Sequence, residues 1–438
     1  MSTIEIYPTR KIFVTNYPEF KYWRNISSQG ISEVTPPTDD DTPLSLYIHI
    51  PFCLQRCSFC FFLTLKYEDL AQINRYVDTV CKEIKLGSEV HGLSRRKVKS
   101  IYFGGGTPSI LGDEHLTKIV TALSDSYDIS EAEMTIEIEP KIVKKKKVRI
   151  LNDLGFTRIS LGVQSFNDDV LELSNRNHTR AQVREGLELM LAESNATINI
   201  DLLSGLANDT YETWSQSVQE AVDMKIHNIT VYKMQTYSNT DFFKHGVRRD
   251  DIKLPTDEEE FDYMNLALDK FEEYNYQAST YFTFNLDGGY QDGHLKNIWN
   301  GGDMYPIGIS SFGNLGKSCF QNTSNLNTYY EKLDKSELPV IRTYDLSHAE
   351  GAIRYILLRA KLTTIHFDGF EQMFGFDLRE VIRPTLSELE SEDYIRINHD
   401  EIKATRKGIL FGDYIGMRIA VALKEYFKLD KLLMSTEI

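Results

Sequence analysis

From residue 44 onward, short runs dominated by apolar, β-branched and aromatic residues alternate with longer amphipathic segments. The runs are LSLYIHI (44–50), VKSIYF (98–103), EMTIEIE (133–139), FTRISLGV (156–163), ATINIDLL (196–203) and HNITVYKM (227–234). Helix-length segments near 69–90, 113–124, 142–153, 180–193 and 210–224 separate them. Strand followed by helix, repeated, predicts βα units around a parallel sheet. Six such units over about 190 residues suit an α/β fold of the partial (β/α) barrel type better than a closed eight-stranded one, with function at the C-terminal ends of the strands.

Outside that rhythm the pattern changes. Residues 1–43 are irregular and end in TPPTDDDTP, which can continue neither a helix nor a central strand, so they read as a lead-in arm closing over the main domain. The core domain runs over 44–280, with a last helix at 256–275 followed by YQASTYFTF. A barrel-closing extension spans 281–344, its Gly-rich part from Gly288 to Gly316 walling the mouth. Residues 345–438 read as a C-terminal helical, winged-helix-like module, expected to act as packing or lid. Its many Glu and Asp residues argue against DNA binding. The run KKKK (144–147) reads as a solvated helix face.

Composition narrows the function. The 438 residues carry 49 Lys and Arg against 64 Asp and Glu, a formal charge of −15 that repels phosphate backbones and makes nucleic acid a poor partner. No apolar run is long enough to span a membrane, and MSTIEIYPTRKIF has neither the basic nor the apolar segment of a signal peptide. Five cysteines, an odd number, give no disulfide framework, so a reducing, cytoplasmic location is expected.

Three of the five fall within eight residues. Cys53, Cys57 and Cys60 form C-x3-C-x2-C directly after the first strand, where the functional face of a barrel begins. Structural zinc needs four ligands, and neither Cys81, on a predicted helix, nor Cys319 offers a C-x2-C partner. Three thiolates on a four-iron cluster leave one iron without a protein ligand, and an open metal position is where chemistry takes place. Three buried core cysteines is a poor alternative, because the intervening residues are polar and turn-like.

This motif, with its surroundings YIHIPFC and CSFC, resembles the radical S-adenosylmethionine enzymes, in the subgroup typified by oxygen-independent coproporphyrinogen III oxidase and its haem-chaperone relatives. The resemblance covers about residues 44–320. It implies a [4Fe–4S] cluster on Cys53, Cys57 and Cys60, and S-adenosylmethionine chelated at the free iron and cleaved to a 5′-deoxyadenosyl radical. It also implies a small-molecule substrate, with porphyrinogens among the candidates, and a low-potential electron donor such as flavodoxin or ferredoxin.

Other motifs acquire roles from the same resemblance. YFGGGTPS (102–109) is not a dinucleotide fingerprint, but its glycines let backbone approach a ligand and offer N–H and C=O groups. The resemblance gives Gly105, Gly106 and Thr107 to the methionine moiety. It uses Tyr47 and Phe59 to pack S-adenosylmethionine, and Glu137, near a strand end, to accept from ribose hydroxyls. Glu139 is expected to face outward. SLGVQSFNDDVLELSNRNHT (160–179) supplies Gln164 and Arg176, and INIDLLSGL (198–206) supplies Asp201. In the coproporphyrinogen enzyme these contact a second S-adenosylmethionine, whose presence here is left open. Gln235 and Phe312 occupy matching positions.

The chain also departs from the pattern. It continues CFF where the coproporphyrinogen enzyme has a glycine and a further cysteine, and HLKNIW (294–299) keeps only the outer residues of the chaperone's haem motif, with His294 as the candidate ligand. Three functions follow: oxidative decarboxylation of propionate side chains, methyl transfer using two S-adenosylmethionine molecules, or haem delivery without porphyrinogen oxidation.

Overall fold

The computed structural model describes residues 14, 16–26, 42–249 and 251–434. Most of the lead-in arm read over 1–43, including most of its Pro/Asp stretch, lies outside the described residues.

The six expected strands form: β1 (Leu44–Ile50), β2 (Val98–Gly105), β3 (Glu133–Ile138), β4 (Arg158–Gln164), β5 (Thr197–Ser204) and β6 (Asn228–Lys233). They pair in parallel in that order. The connecting helices are α1 (Leu70–Val90), α2 (Asp113–Ser126), α3 (Lys145–Asp153), α4 (Arg180–Glu193) and α5 (Tyr211–Asp223). Three of these helices, α1, α4 and α5, start at side chains that satisfy the free N–H groups of a first turn. Asp69 accepts from Gln72 N, Thr179 and Gln182 cap α4 reciprocally, and Thr210 accepts from Thr213 N ahead of α5.

The count of six parallel strands needs correction. β7 (Asp303–Ile307) adds a seventh beside β1, in register from Asp303 opposite Leu44 to Ile307 opposite Ile48. The Gly-rich stretch around it hid a strand, because glycine and proline lower strand propensity while the β1 edge supplies the pairing. Antiparallel strands Phe312–Leu315, Ser318–Asn322 and Val340–Asp345 continue that side, and the hairpin Tyr276–Ala278 with Thr283–Leu286 ends the other. Segment 281–344 thus shares one sheet with the βα units. The sheet does not close among the described residues. The KKKK face is also only partly solvated: Lys147 turns back to donate to the Leu111 carbonyl at 2.6 Å, and burial lowers its pKa.

Strand alternation sorts the two faces. Leu46, Ile48, Ile101, Phe103, Ile136, Ile159, Leu161, Ile198, Ile200 and Ile229 point outward into one core under the helices and are inaccessible to solvent. Each such residue contributes roughly 1.5–3 kcal/mol by burial. The alternate positions, Ser45, Tyr47 and His49 on β1, Ser100 and Tyr102 on β2, Glu137, Arg158, Ser160, Asn199, Asp201 and Thr230, share the opposite face. A sheet curved around that face has a polar lumen.

The C-terminal part has its own core, centred on helices His348–Arg359 and Tyr414–Tyr426, and a three-stranded antiparallel sheet of Thr364–His366, Ile395–Ile397 and Glu401–Ala404. Inside it Lys361 Nζ meets Asp413 Oδ1 at 2.6 Å. Among the described residues no helix is long and apolar enough to cross a membrane.

Candidate active site

A cavity of about 800 Å³ opens at the C-terminal ends of the parallel strands. Cys53, Cys57 and Cys60 line it, as do Tyr47, Phe59, Gly105, Gly106, Thr107, Glu137, Gln164, Arg176, Asp201, Gln235 and Phe312. Residues spread over about 260 positions of sequence are therefore brought to one place by the topology.

The cysteine loop leaves β1 at Pro51. Phe52–Cys53 pairs in parallel with Leu65–Lys66, which ties the loop's two ends together. Its middle is docked on the segment after β4: Ser58 N donates to Ser174 O at 3.1 Å, and Asn175 Nδ2 to Arg56 O at 2.8 Å. Burial pushes the Cys53 thiol up to about 12 and raises that of Cys60, so a free thiolate is disfavoured here and iron would have to displace the proton. Arg176 Nη1 donates to Cys57 Sγ at 3.1 Å, and Thr107 Oγ1 lies 3.5 Å from Cys53 Sγ.

The glycine segment behaves differently from the sequence reading in one respect. Gly106 N donates to Ile50 O at 2.7 Å and Thr107 N to Phe52 O at 2.8 Å, so these N–H groups are spent on the cysteine strand. What the segment can give an amino group is carbonyl oxygen. A Cβ at Gly106 would fall 2.7 Å from the Pro51 carbonyl carbon, which explains why only glycine serves at this close approach. Gly105, at φ +114°, donates its N–H to Glu137 Oε2 at 3.2 Å.

Glu137 also accepts from Tyr102 OH at 2.9 Å, and burial, with the nearby Asp201, pushes its pKa up to about 7. Glu139 does not face outward. Two residues on from Glu137, it shares the lumen face, accepts from Thr107 Oγ1 at 3.1 Å and lies 4.0 Å from Arg176 Nη1. Asp201 is held by Ser160 Oγ and Asn199 Nδ2, both at 2.9 Å, and burial raises its pKa. Gln164 sits at φ +68°, where β4 shifts register against β5; a non-glycine residue there is strained, as functional positions often are. Gln235 accepts from Tyr237 OH at 2.7 Å, and Phe312 meets Phe20 edge-on at 5.0 Å.

Sequence reasoning missed several lumen residues. His49 hydrogen-bonds Tyr47 OH at 3.1 Å; Tyr102 holds Glu137; Arg158 pairs with Asp292 at 3.1 Å beneath Asp201. The signal was present, since each occupies a polar position in an otherwise apolar strand or its flank. His294 lines the cavity but is 5% exposed; its Nδ1 meets Ser100 Oγ at 2.9 Å and burial lowers its pKa to about 4.

These residues fit a cluster and S-adenosylmethionine. Among the described residues no three His, Cys, Asp or Glu side chains converge on a single ion. A cubane cluster instead takes one thiolate at each of several irons. Two buried polar atoms beside the cysteines, Glu139 Oε2 and Arg176 Nε, have no partner and await one.

Comparison with known proteins agrees. Residues 47–221 match the family model described as the radical SAM superfamily. The haem chaperone HemW of Lactococcus lactis is 25% identical over 374 residues, covering 85% of this chain and 96% of its own. The oxygen-independent coproporphyrinogen III oxidase of Pseudomonas aeruginosa is 26% identical over 385 residues, covering 84% and 83%. HemW of Synechocystis is 30% identical over 301 residues, covering 67% and 71%. The solved coproporphyrinogen III oxidase HemN of Escherichia coli superposes with a TM-score of 0.79 at 21% identity, covering 93% of this chain and 96% of that one, and shares its fold. The chain belongs to the radical SAM superfamily, whose members work with a [4Fe–4S] cluster and S-adenosylmethionine, in the group that holds both the oxygen-independent coproporphyrinogen III oxidases and the HemW haem chaperones.

Proposed function

We propose that the chain is a catalyst rather than a haem carrier: a radical SAM oxidoreductase that abstracts hydrogen from a small molecule held in the cavity. Decarboxylation of a propionate side chain, the activity of the coproporphyrinogen III oxidases among its relatives, is the first reading. One observation carries the choice of catalysis. The three cysteines, Gly105–Thr107, Glu137, Gln164, Arg176 and Asp201 all line a single cavity of about 800 Å³, within the range of small-molecule sites.

When bound, the cluster and S-adenosylmethionine supply reductive cleavage and a hydrogen-abstracting radical. The chain's own tasks are orientation and exclusion of water. Cys53, Cys57 and Cys60 would hold the cluster, glycine carbonyls would take the ammonium group, and Glu137 would take ribose hydroxyls. Tyr47 and Tyr102, with ring centroids 6.2 Å apart, wall the inner side. Phe61, stacked on Phe62 at 4.3 Å and 4.2 Å from Tyr237, covers the rim, and Phe411 of the C-terminal module reaches the same cavity. Haem delivery finds less support, because the His294 ring is enclosed between Ser100 and Tyr102.

A second reading, one-carbon transfer from a second S-adenosylmethionine to a less acidic substrate, is favoured by the cavity's charge. Four basic side chains, Arg56, Arg158, Arg176 and Lys233, line it together with four carboxylates, Glu137, Glu139, Asp201 and Asp292. Arg158 is on Asp292, Arg176 on Cys57 and Lys233 on Glu260 at 2.6 Å. A substrate with four propionates meets no surplus of positive charge among the described residues. Anaerobic incubation with coproporphyrinogen III, S-adenosylmethionine and reductant decides between them. Carbon dioxide and a vinyl product support decarboxylation. No response to coproporphyrinogen, with S-adenosylhomocysteine and a methylated product once an uncharged aromatic acceptor is supplied in its place, supports one-carbon transfer. Haem uptake with neither chemistry defeats both.

A further inference from the structure

Arg176 is 8% exposed, and its guanidinium is already committed. Nη1 donates to Cys57 Sγ at 3.1 Å and Nη2 to the Gly162 carbonyl at 2.7 Å, while Nε, buried, has no partner. The two parallel N–H groups that would clamp a carboxylate are thus divided between a sulfur and a main-chain oxygen. The placement is built into the backbone. Ser174 and Asn175, the residues just before Arg176, dock the cysteine loop through Ser58 N and the Arg56 carbonyl. A guanidinium keeps its charge at any working pH, so the group held against the Cys57 sulfur is a cation.

We infer that Arg176 acts on the cluster through Cys57 and raises its reduction potential. Hydrogen bonds to ligand sulfurs, net charge and exposure are what set such potentials. A buried positive charge stabilises the reduced cluster, which carries one more negative charge, more than the oxidised one. Glu139 is the counterweight: its carboxylate lies 4.0 Å from Nη1 and also takes the Thr107 hydroxyl that could otherwise donate to Cys53. Arg176 is in this sense a positioning residue. The inference rests on cluster ligation by the three cysteines and is independent of which substrate is turned over.

The test is an EPR-monitored redox titration of the anaerobically reconstituted full chain, without S-adenosylmethionine, with iron content measured alongside. Arg176→Gln keeps a donor for Gly162 and loses the charge. Its reduced-to-oxidised ratio at fixed potential should fall at least tenfold, a midpoint more negative by about 59 mV for one electron. Arg176→Lys should shift in the same direction by less, and Glu139→Gln in the positive direction. Wild-type midpoints in Arg176→Gln and Glu139→Gln at full iron load overturn the inference, even if S-adenosylmethionine binding weakens. If Arg176→Gln fails to hold iron, unchanged midpoints in Arg176→Lys and Glu139→Gln overturn it. A wild-type chain that takes up no iron overturns the ligand assignment instead.

Discussion

Two buried carboxylates, one under the wall of the cavity and one inside it, share a pKa shift and a tyrosine–glycine donor pair, and differ in how much of their hydrogen-bonding capacity is spent. Burial pushes both Glu83 and Glu137 up to about 7. Glu83, on α1, is 1% exposed and fully engaged: Tyr329 OH at 2.5 Å and Gly308 N at 2.8 Å reach Oε2, and Asn322 Nδ2 at 2.6 Å reaches Oε1. It ties α1 to the loop that begins at Gly308, whose Ser310 and Ser311 line the cavity. Glu137 takes one donor on each oxygen and keeps its remaining lone pairs on the cavity side. A raised pKa therefore marks burial in both regions. What separates the two carboxylates is capacity left over: Glu83 has both oxygens engaged, whereas Glu137 keeps free lone pairs and has the unpartnered Glu139 Oε2 and Arg176 Nε in the same cavity.

The largest effect expected separates the regions completely. Cys57→Ala should reduce iron in the reconstituted protein from about four per chain to a small residue, while urea unfolding of the metal-free chain stays as in wild type. A parallel loss of stability would mean that the cysteine loop supports the fold. The converse variant is Glu83→Ala, which strands three donors in a buried site and should cost about 3 kcal/mol or more in urea unfolding. Glu137→Gln is expected to leave stability within about 1 kcal/mol and to weaken S-adenosylmethionine at least tenfold, about 1.4 kcal/mol, by equilibrium dialysis. If both variants cost stability alone, the distinction between the two carboxylates fails.

The pH dependence is the property the two carboxylates share, and Glu83 shows its sign. Between the carboxylate's ordinary 4.5 and about 7, the folded chain holds a proton on Glu83 that the unfolded chain has released. Its contribution to stability is therefore fully present below pH 4.5 and lost as pH rises through about 7, on the order of 3 kcal/mol. Glu83→Gln should remove its share of the slope in that part of the urea-derived profile, and Glu137→Gln a similar share. The smallest effect expected is at the rim: Phe62, 52% exposed, should cost within about 0.5 kcal/mol when changed to Ala. Its loss should instead show as a smaller stimulation of 5′-deoxyadenosine formation by substrate, since the rim excludes water.

Much of this was legible in the residues. Helix α4 begins and ends where the amphipathic segment near 180–193 placed it, opened by the Thr179–Gln182 cap, and the cysteine spacing led directly to the cavity. β7 was not legible, because DMYPI is a strand only by pairing with β1 across more than 250 residues. Glu139 was misread by treating it alone, although the period-two spacing from Glu137 put both on one face. Arg176 was visible as a planar fork, but its partner Cys57 lies 119 residues away and only the docking of two loops brings them together.

The central claim is that this cavity is catalytic, and the most direct measurement is 5′-deoxyadenosine formation. Anaerobically reconstituted protein, supplied with S-adenosylmethionine and a low-potential reductant, should form 5′-deoxyadenosine slowly alone and faster with its substrate, because a positioned hydrogen makes abstraction effectively unimolecular. No 5′-deoxyadenosine from protein carrying about four irons, together with stoichiometric haem whose binding His294→Ala abolishes, would contradict the account.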